Sequence, residues 1–179
     1  MIGVAFISTA CNLATEYVPD PRLTKQTGAV IHVADRHVRG WSGTTELDVY
    51  DFNAGCPDIG TRLKSRGYEG SIPLNVGRDP QVIIPTGQTI VLRLAWSRIS
   101  PFSNESCITG VKFKPEADSE YLVVYGSPAS GGNRCGVGLL ELVDGPKGNE
   151  AQRVEDAVPL DIKRGFSGPY SDRLCSERP

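Results

Sequence analysis

Residues 107–143 consist of three strand-forming segments separated by a turn and a polar loop, and they constrain the fold more than any other part of the chain. Side chains of an extended strand alternate between two faces, and β-branched and aromatic residues favour that conformation over a helix. Two sets of alternating residues each share one face: Cys107, Thr109, Val111 and Phe113, then Tyr121, Val123 and Tyr125. Turn-forming residues separate these sets at 115–119, and a polar Pro- and Gly-containing loop follows at 127–133. A third segment follows, in which Cys135, Val137 and Leu139 alternate with Gly136 and Gly138. The pattern predicts three successive strands.

Two cysteines stand at the starts of the first and third of these strands. In an up-down-up arrangement these starts lie at the same end, so Cys107 and Cys135 are expected to meet at one rim. A disulfide needs Cα atoms within about 7 Å, whereas strands on either side of a middle strand lie about 9–10 Å apart. A bridge would therefore pass beyond the end of the middle strand or join two sheets. Two buried free thiols are the alternative.

Composition indicates a globular β-protein of one domain. The chain has 179 residues, enough for one hydrophobic core, and its 20 Gly and 13 Pro accompany many short alternating segments. These features predict an all-β fold, a single antiparallel β-sandwich of about seven to nine strands spanning residues 28–164. The net charge of −2 and the lack of a basic stripe argue against a nucleic-acid partner.

Several further elements are predicted outside the central segment. Strands are expected at residues 28–34, 46–52 and 89–96, with 35–45 as a hairpin loop and a last edge strand at 160–163. In the segment at 89–96, Arg93 and Val91 are expected to point outward. Residues 149–158 fit either a short helix, with Asn149 as N-cap and Pro159 as terminator, or an extended connection.

The five cysteines do not fit a zinc site, because the sequence has no CxxC or HxxxH pair. If Cys11 is set aside, four remain for two bridges. A cysteine in a polar tail is useful chiefly as a staple, so Cys175 in the tail at 165–179 is paired with Cys56 by elimination. That bridge would close a loop of about 120 residues and contribute about 5 kcal/mol at most.

The first ten residues form an apolar run that ends in small residues before Cys11, and this resembles the end of a bacterial lipoprotein signal peptide. The run lacks a basic segment and is shorter than a secretory signal, so residues 1–10 are expected to be a truncated remnant. The resemblance implies a palmitate-type acyl anchor on Cys11, followed by a polar tether at 11–27. Because Asn12 rather than Asp follows the cysteine, it also implies the outer membrane, facing the periplasm. The alternative is a cytosolic protein with a buried strand at 1–10.

Several short motifs follow one another along the predicted sandwich. They are Ile84-Pro-Thr-Gly-Gln88, Cys107, Phe113-x-Pro115, Tyr121-x-Val123 and Cys135. Their order resembles that of small proteobacterial envelope lipoproteins of unknown function with a transthyretin-like or immunoglobulin-like β-sandwich. The resemblance covers residues 28–143. It implies a fold and a compartment, and it implies no catalytic residues.

Candidate reactive residues are few. The two histidines, His32 and His37, lack a G-x-S-x-G nucleophile motif, so no catalytic triad is predicted. Glu116, Asp118 and Glu120 could ligate calcium, but three alternating carboxylates in a turn are more typical of a solvated hairpin tip, so no metal or cofactor is expected. Trp41, in a polar loop, is expected to contact a partner or a glycan.

The sequence thus predicts a non-enzymatic exported lipoprotein that binds or scaffolds in the cell envelope through loops at one rim. Its expected partners are the lipid bilayer, through the acyl anchor, and an envelope protein. One alternative is an accessory lipoprotein of a secretion apparatus of type VI kind. Another is a periplasmic enzyme or inhibitor.

Overall fold

The structure is a computed structural model that describes seven parts of the chain: residues 16–35, 44–54, 67–74, 81–99, 104–126, 135–145 and 148–160. These residues form two facing sheets of five strands each, which confirms the predicted all-β sandwich. A single 3₁₀ turn, Phe52–Ala54, is the helical element within these parts. No helix among them has the length and apolar character needed to cross a bilayer.

The described residues contain ten strands, more than the seven to nine expected. Their bounds are β1 Ala29–Asp35, β2 Thr44–Asp51, β3 Tyr68–Leu74, β4 Gln81–Ile84, β5 Ile90–Ile99, β6 Asn104–Phe113, β7 Glu120–Gly126, β8 Gly136–Gly145, β9 Gly148–Arg153 and β10 Val158–Leu160.

The strand order is β4-β1-β7-β8-β9 in the first sheet and β10-β6-β5-β2-β3 in the second sheet. Within the first sheet β1 runs parallel to β7, whereas the other pairs of named strands run antiparallel. Strands β1 and β2 lie in different sheets. The prediction of a hairpin loop at 35–45 is therefore wrong, because its two flanking strands do not pair with each other.

The core lies between the sheets and is built from the alternating faces that the sequence predicts. In the first sheet Val123 is opposite Val33 on one side and Leu139 on the other. In the second sheet Leu94 is opposite Leu47 and Thr109. Burial of each such aliphatic side chain stabilises the fold by about 1.5–3 kcal/mol.

One open side of the sandwich is closed by Tyr17, which lies between the edge strands β3 and β4. Its backbone N–H donates to the Ser71 carbonyl at 2.9 Å, its hydroxyl donates to the Ile83 carbonyl at 3.2 Å, and it is 8% exposed. A Cβ on Gly70 would come within 2.4 Å of the Tyr17 Cα, and the φ of Gly70 is +147°, so this close approach requires glycine. Residues 16–27, which fall in the predicted tether, therefore include chain that is attached to the sandwich.

The opposite side is closed by the segment for which the sequence left a helix or an extended connection open. Residues 148–153 form β9, which pairs with β8 along its whole length, so the expectation of a short helix near 149–158 is wrong. The N-cap signal at Asn149 is overridden because a helix here would bury only a thin apolar stripe, whereas the strand completes a hairpin ladder. Val154 and Ala157 then pack against the core. Strand β10 pairs with β6 and overlaps the predicted edge strand at Leu160.

Candidate binding rim

Three connections that cross from one sheet to the other meet at one end of the sandwich. Residues 85–89 link β4 to β5, residues 114–119 link β6 to β7, and residues 154–157 link β9 to β10. Because β4 and β6 end here and β5 and β7 begin here, the sheet topology brings together segments that are far apart in sequence. We call these three segments the crossing rim.

Hydrogen bonds hold the crossing rim to the segment that precedes β1. The Asp118 backbone N–H donates to the Gly28 carbonyl at 3.1 Å, and the Thr86 hydroxyl donates to the Thr27 carbonyl at 3.2 Å. The Glu116 backbone N–H donates to the Tyr121 hydroxyl at 3.1 Å. Asp118 adopts a φ of 61°, a left-handed conformation that aspartate tolerates better than most residues. The rim is thus a set of braced turns rather than one long free loop.

A pocket of about 420 Å³ opens in the crossing rim, within the size range of small-ligand sites. It is lined by Thr86, Gly87, Lys114, Pro115, Glu116, Ala117 and Asp156. Its charged side chains are one ammonium and two carboxylates, and all three are exposed. A polar ligand could form ion pairs and hydrogen bonds here while remaining partly hydrated.

A charged cluster lies beside the rim on the outer face of the first sheet. The Glu120 carboxylate accepts a hydrogen bond from Lys25 through Oε1 and lies 3.0 Å from His32 Nε2 through Oε2. The hydrogen bond from Lys25, followed by that from His32, lowers the pKa of Glu120 below its usual value. In turn the Glu120 carboxylate raises the pKa of Lys25. His32, half-buried in the apolar strand β1, is therefore a hydrogen-bonded residue next to a carboxylate.

The three carboxylates considered for calcium do not converge in the structure. Glu120 is engaged by Lys25 and His32, whereas Glu116 and Asp118 are exposed on the 114–119 segment. Across the residues that the structure describes, no group of three or more His, Cys, Asp or Glu side chains is arranged to hold a metal ion.

The predicted disulfide between Cys107 and Cys135 is confirmed, and it lies at the end of the sandwich opposite the crossing rim. Their Cα atoms are 5.9 Å apart. Cys107 belongs to β6 in the second sheet, and Cys135 directly precedes β8 in the first sheet, so the bridge joins two sheets. The Tyr125 hydroxyl donates to the Cys107 carbonyl at 3.3 Å.

The other predicted site residues lie outside the described parts of the chain. They are the lipidation candidate Cys11, the second disulfide pair Cys56 and Cys175, the contact residue Trp41, and His37. The expectations for residues 1–10 and for the tail at 165–179 lie outside them as well.

Sequence reasoning missed a buried ion pair on the outer face of the second sheet. Asp48 of β2 is fully buried, Arg93 of β5 is 6% exposed, and the guanidinium Nη1 donates to the Asp48 carboxylate. The prediction that Arg93 and Val91 point outward places them on the correct face, but Val91 is also fully buried, so that face is covered there. An aspartate between the two apolar residues Leu47 and Val49 was the signal that could have indicated the pair.

A glycine makes room next to this ion pair. Gly110 of β6 is opposite Arg93, and a Cβ on it would lie 2.6 Å from the Leu92 carbonyl oxygen and 3.1 Å from the Leu160 side chain. The Nε of Arg93 is buried and has no hydrogen-bond partner within the described residues. The pair is thus held by close packing and by the charged contact between its two members, which is typical of a structural rather than a reactive group.

Comparison with known proteins adds no relative to this picture: no protein-family model matches the chain, and no curated protein matches it.

Proposed function

We propose that the protein is a non-enzymatic binding or scaffolding module of the bacterial cell envelope, exported and held at the outer membrane by a lipid on Cys11, facing the periplasm. The observation that carries this proposal is the Cys107–Cys135 disulfide between the sheets. Structural disulfides persist in oxidising compartments such as the periplasm and are rare in the cytosol, where thiols are kept reduced. The bridge therefore favours export.

The proposed contact surface is the crossing rim. Binding residues are commonly carried on loops that a rigid scaffold positions, and three crossing connections surround one pocket here. Lys114, Glu116 and Asp156 supply charges of both signs at its mouth. These groups suit recognition of a polar partner surface by ion pairs and hydrogen bonds.

Two observations favour binding over catalysis at this end of the molecule. The Thr86 hydroxyl, which lines the pocket, donates to the Thr27 carbonyl. The His32 ring lies on the outer face of the first sheet with Nε2 against Glu120. A catalytic hydroxyl needs a base within hydrogen-bond reach, and these two contacts direct both groups elsewhere.

The docking of Tyr17 limits how far a lipid on Cys11 could lie from the sandwich. Glu16 forms a bridge with Ser71, and Tyr17 is buried against β3 and β4. Even a fully extended chain from Cys11 to Glu16 would reach only about 17 Å. The proposed anchor is therefore a short one, which would hold the module close to the membrane surface.

Metabolic labelling with a palmitate analogue tests the anchor in wild-type protein and in Cys11→Ala, each expressed from the native gene. We expect label in the wild type and none in the variant. Equal labelling of both proteins, or no labelling of either, would refute lipidation at Cys11.

Site-specific photo-crosslinking in intact cells tests the rim independently of the anchor. A photoreactive amino acid at Ala117, an exposed residue lining the pocket, is expected to give an adduct with an envelope component. The matched control is the same substitution at Gly136, an exposed residue of β8 that pairs with Gly126 at the end of the sandwich opposite the rim, where a Cβ would meet no other atom within 4 Å. Adducts at both positions, or at neither, would contradict a specific contact at the rim.

A further inference from the structure

Three of the four sheet edges in the described part of the molecule are blocked against further strand pairing. Strand β3 is bridged by Glu16 and contains Pro73, and β10 has three residues including Pro159. Strand β4 has four residues, and its Ile83 carbonyl already accepts the Tyr17 hydroxyl. Short length, proline and covering groups are the usual means by which proteins protect sheet edges.

The fourth edge, β9, has none of these protections. Its six residues, GNEAQR, contain no proline, and every one of them is exposed. Strand β8 pairs with one side of β9, and no described residue pairs with the other. An open strand of this length offers a row of backbone donors and acceptors to another strand.

The register of the β8–β9 hairpin shows which backbone groups of β9 face outward. Gly145 and Gly148 are separated by two residues, and the pair that flanks a two-residue hairpin connection occupies a hydrogen-bonded position of the ladder. Bonded and non-bonded pairs alternate along an antiparallel ladder, so residues 148, 150 and 152 bond to β8. The N–H and C=O groups of Asn149, Ala151 and Arg153 therefore point away from it.

We propose that two copies of this chain associate by antiparallel pairing of β9 with β9, centred on Ala151, which joins the two first sheets into one continuous sheet. A two-fold axis perpendicular to the sheet places one residue opposite its own copy. With Ala151 at that position, Asn149 of each copy lies opposite Arg153 of the other copy. This register uses all the outward-facing backbone groups of both strands.

The side chains of β9 favour a second copy as the occupant. In the proposed register a small residue meets itself at the centre, Glu150 faces Gln152 of the other copy, and Arg153 faces Asn149. Neither charge is opposite a like charge, and both face amides that can hydrogen-bond to them. A register centred on Glu150 would instead place two carboxylates opposite each other, which disfavours the slipped alternative.

Cysteine crosslinking of the full-length chain tests the register. Residues opposite each other in a hydrogen-bonded antiparallel pair have Cα atoms about 5.5 Å apart, within disulfide range. Under mild oxidation Ala151→Cys is therefore expected to give a covalent dimer. The matched control is Asn149→Cys on the same face and strand, whose two copies would be offset by about 13 Å along the strands. It is expected to give no more dimer than wild-type protein.

Sedimentation across a concentration series tests the backbone pairing without an added thiol. Wild-type protein and Ala151→Ser are expected to reach the mass of two chains. Ala151→Pro is expected to stay at the mass of one, because it lacks the central outward N–H. Since proline is tolerated where a strand faces solvent, circular dichroism should show the same β-sheet spectrum for all three proteins.

Crosslinking decides the proposal. A covalent dimer with Ala151→Cys and not with Asn149→Cys supports it. Equal dimer with both variants, no dimer with either, or a crosslink from Ala151→Cys to a different protein overturns it. Wild-type and Ala151→Pro proteins of the same mass at every concentration would overturn it as well.

Discussion

Cys107 in β6 and Cys135 before β8 join the two sheets of the sandwich through a disulfide whose Cα atoms lie 5.9 Å apart. The residues are separated by 28 positions in sequence, and the chain between them contains β7, which contributes Tyr121, Val123 and Tyr125 to the core. The bridge therefore closes a loop that contains β7, the central strand of the first sheet, and it links the two sheets covalently.

Removal of this bridge is expected to lower stability substantially. A disulfide closing a loop of this size contributes about 3–4 kcal/mol in the chain-entropy account. The double variant Cys107→Ala/Cys135→Ala should therefore lose about that much free energy of unfolding in urea titrations. Wild-type protein measured with reductant should match the double variant measured with reductant. A double variant as stable as the oxidised wild type would contradict this role.

Tyr17 should contribute more through burial than through its hydroxyl. Tyr17→Ala removes a ring that closes the side between β3 and β4, and deletion of a buried aromatic side chain typically costs about 3–5 kcal/mol. Tyr17→Phe, the matched control, keeps the ring and loses only the hydrogen bond to the Ile83 carbonyl, at a cost of about 0.5–1.5 kcal/mol. Chemical denaturation measures both. Equal losses in the two variants would contradict the packing assignment.

Removal of one member of the buried Asp48–Arg93 pair should lower the free energy of unfolding strongly, whereas replacement of both by apolar residues should change it little. Asp48→Ala leaves a buried guanidinium without its charged partner, and such changes typically cost about 3–5 kcal/mol. The double variant Asp48→Leu/Arg93→Met removes both charges and is expected to recover most of that loss. A double-mutant cycle from thermal unfolding measures the coupling, and additive single effects would rule it out.

The Glu120 cluster should give a stability contribution that depends on acid pH. Hydrogen bonds from Lys25 and then His32 lower the pKa of Glu120 below its ordinary value of 4.5. A carboxyl whose pKa is lower in the folded state stabilises the fold fully at pH values above its ordinary pKa. This stabilisation disappears as the pH falls through the lowered pKa. In an NMR titration, Lys25→Ala should move the pKa of the Glu120 carboxyl upward.

Lys25→Arg is the control for this titration, because it keeps a cation within reach of Glu120. It should leave the carboxyl pKa low. If Lys25→Ala titrates like the wild type, the ion pair does not set the pKa of Glu120.

Local sequence pattern was sufficient for the central strands and for the disulfide. The alternation of Tyr121, Val123 and Tyr125 predicted β7 and its core face, since period two is a property of the strand itself. The expectation that Cys107 and Cys135 meet at one rim held even though β6 and β7 belong to different sheets. Strands β6 and β7 still run in opposite directions, so the start of β6 and the end of β7 lie at the same end of the molecule. Cys107, near the start of β6, and Cys135, after the end of β7, therefore meet there.

The elements that sequence reasoning missed depend on contacts between distant segments. Strand β1 pairs in parallel with β7, and no local signal marks that pairing. Burial of Arg93 depends on Asp48 and on the cover over the outer face of the second sheet. Likewise, Lys114 and Asp156 line one pocket only because three crossing connections converge, which the turn residues of each segment alone cannot indicate.

We propose that this disulfide-bonded two-sheet sandwich is located outside the reducing cytoplasm. Alkylation of thiols in intact cells, followed by peptide mapping by mass spectrometry without reduction, tests it most directly. We predict that the peptides containing Cys107 and Cys135 are recovered joined to each other and unalkylated. Recovery of both cysteines as alkylated free thiols would contradict the account.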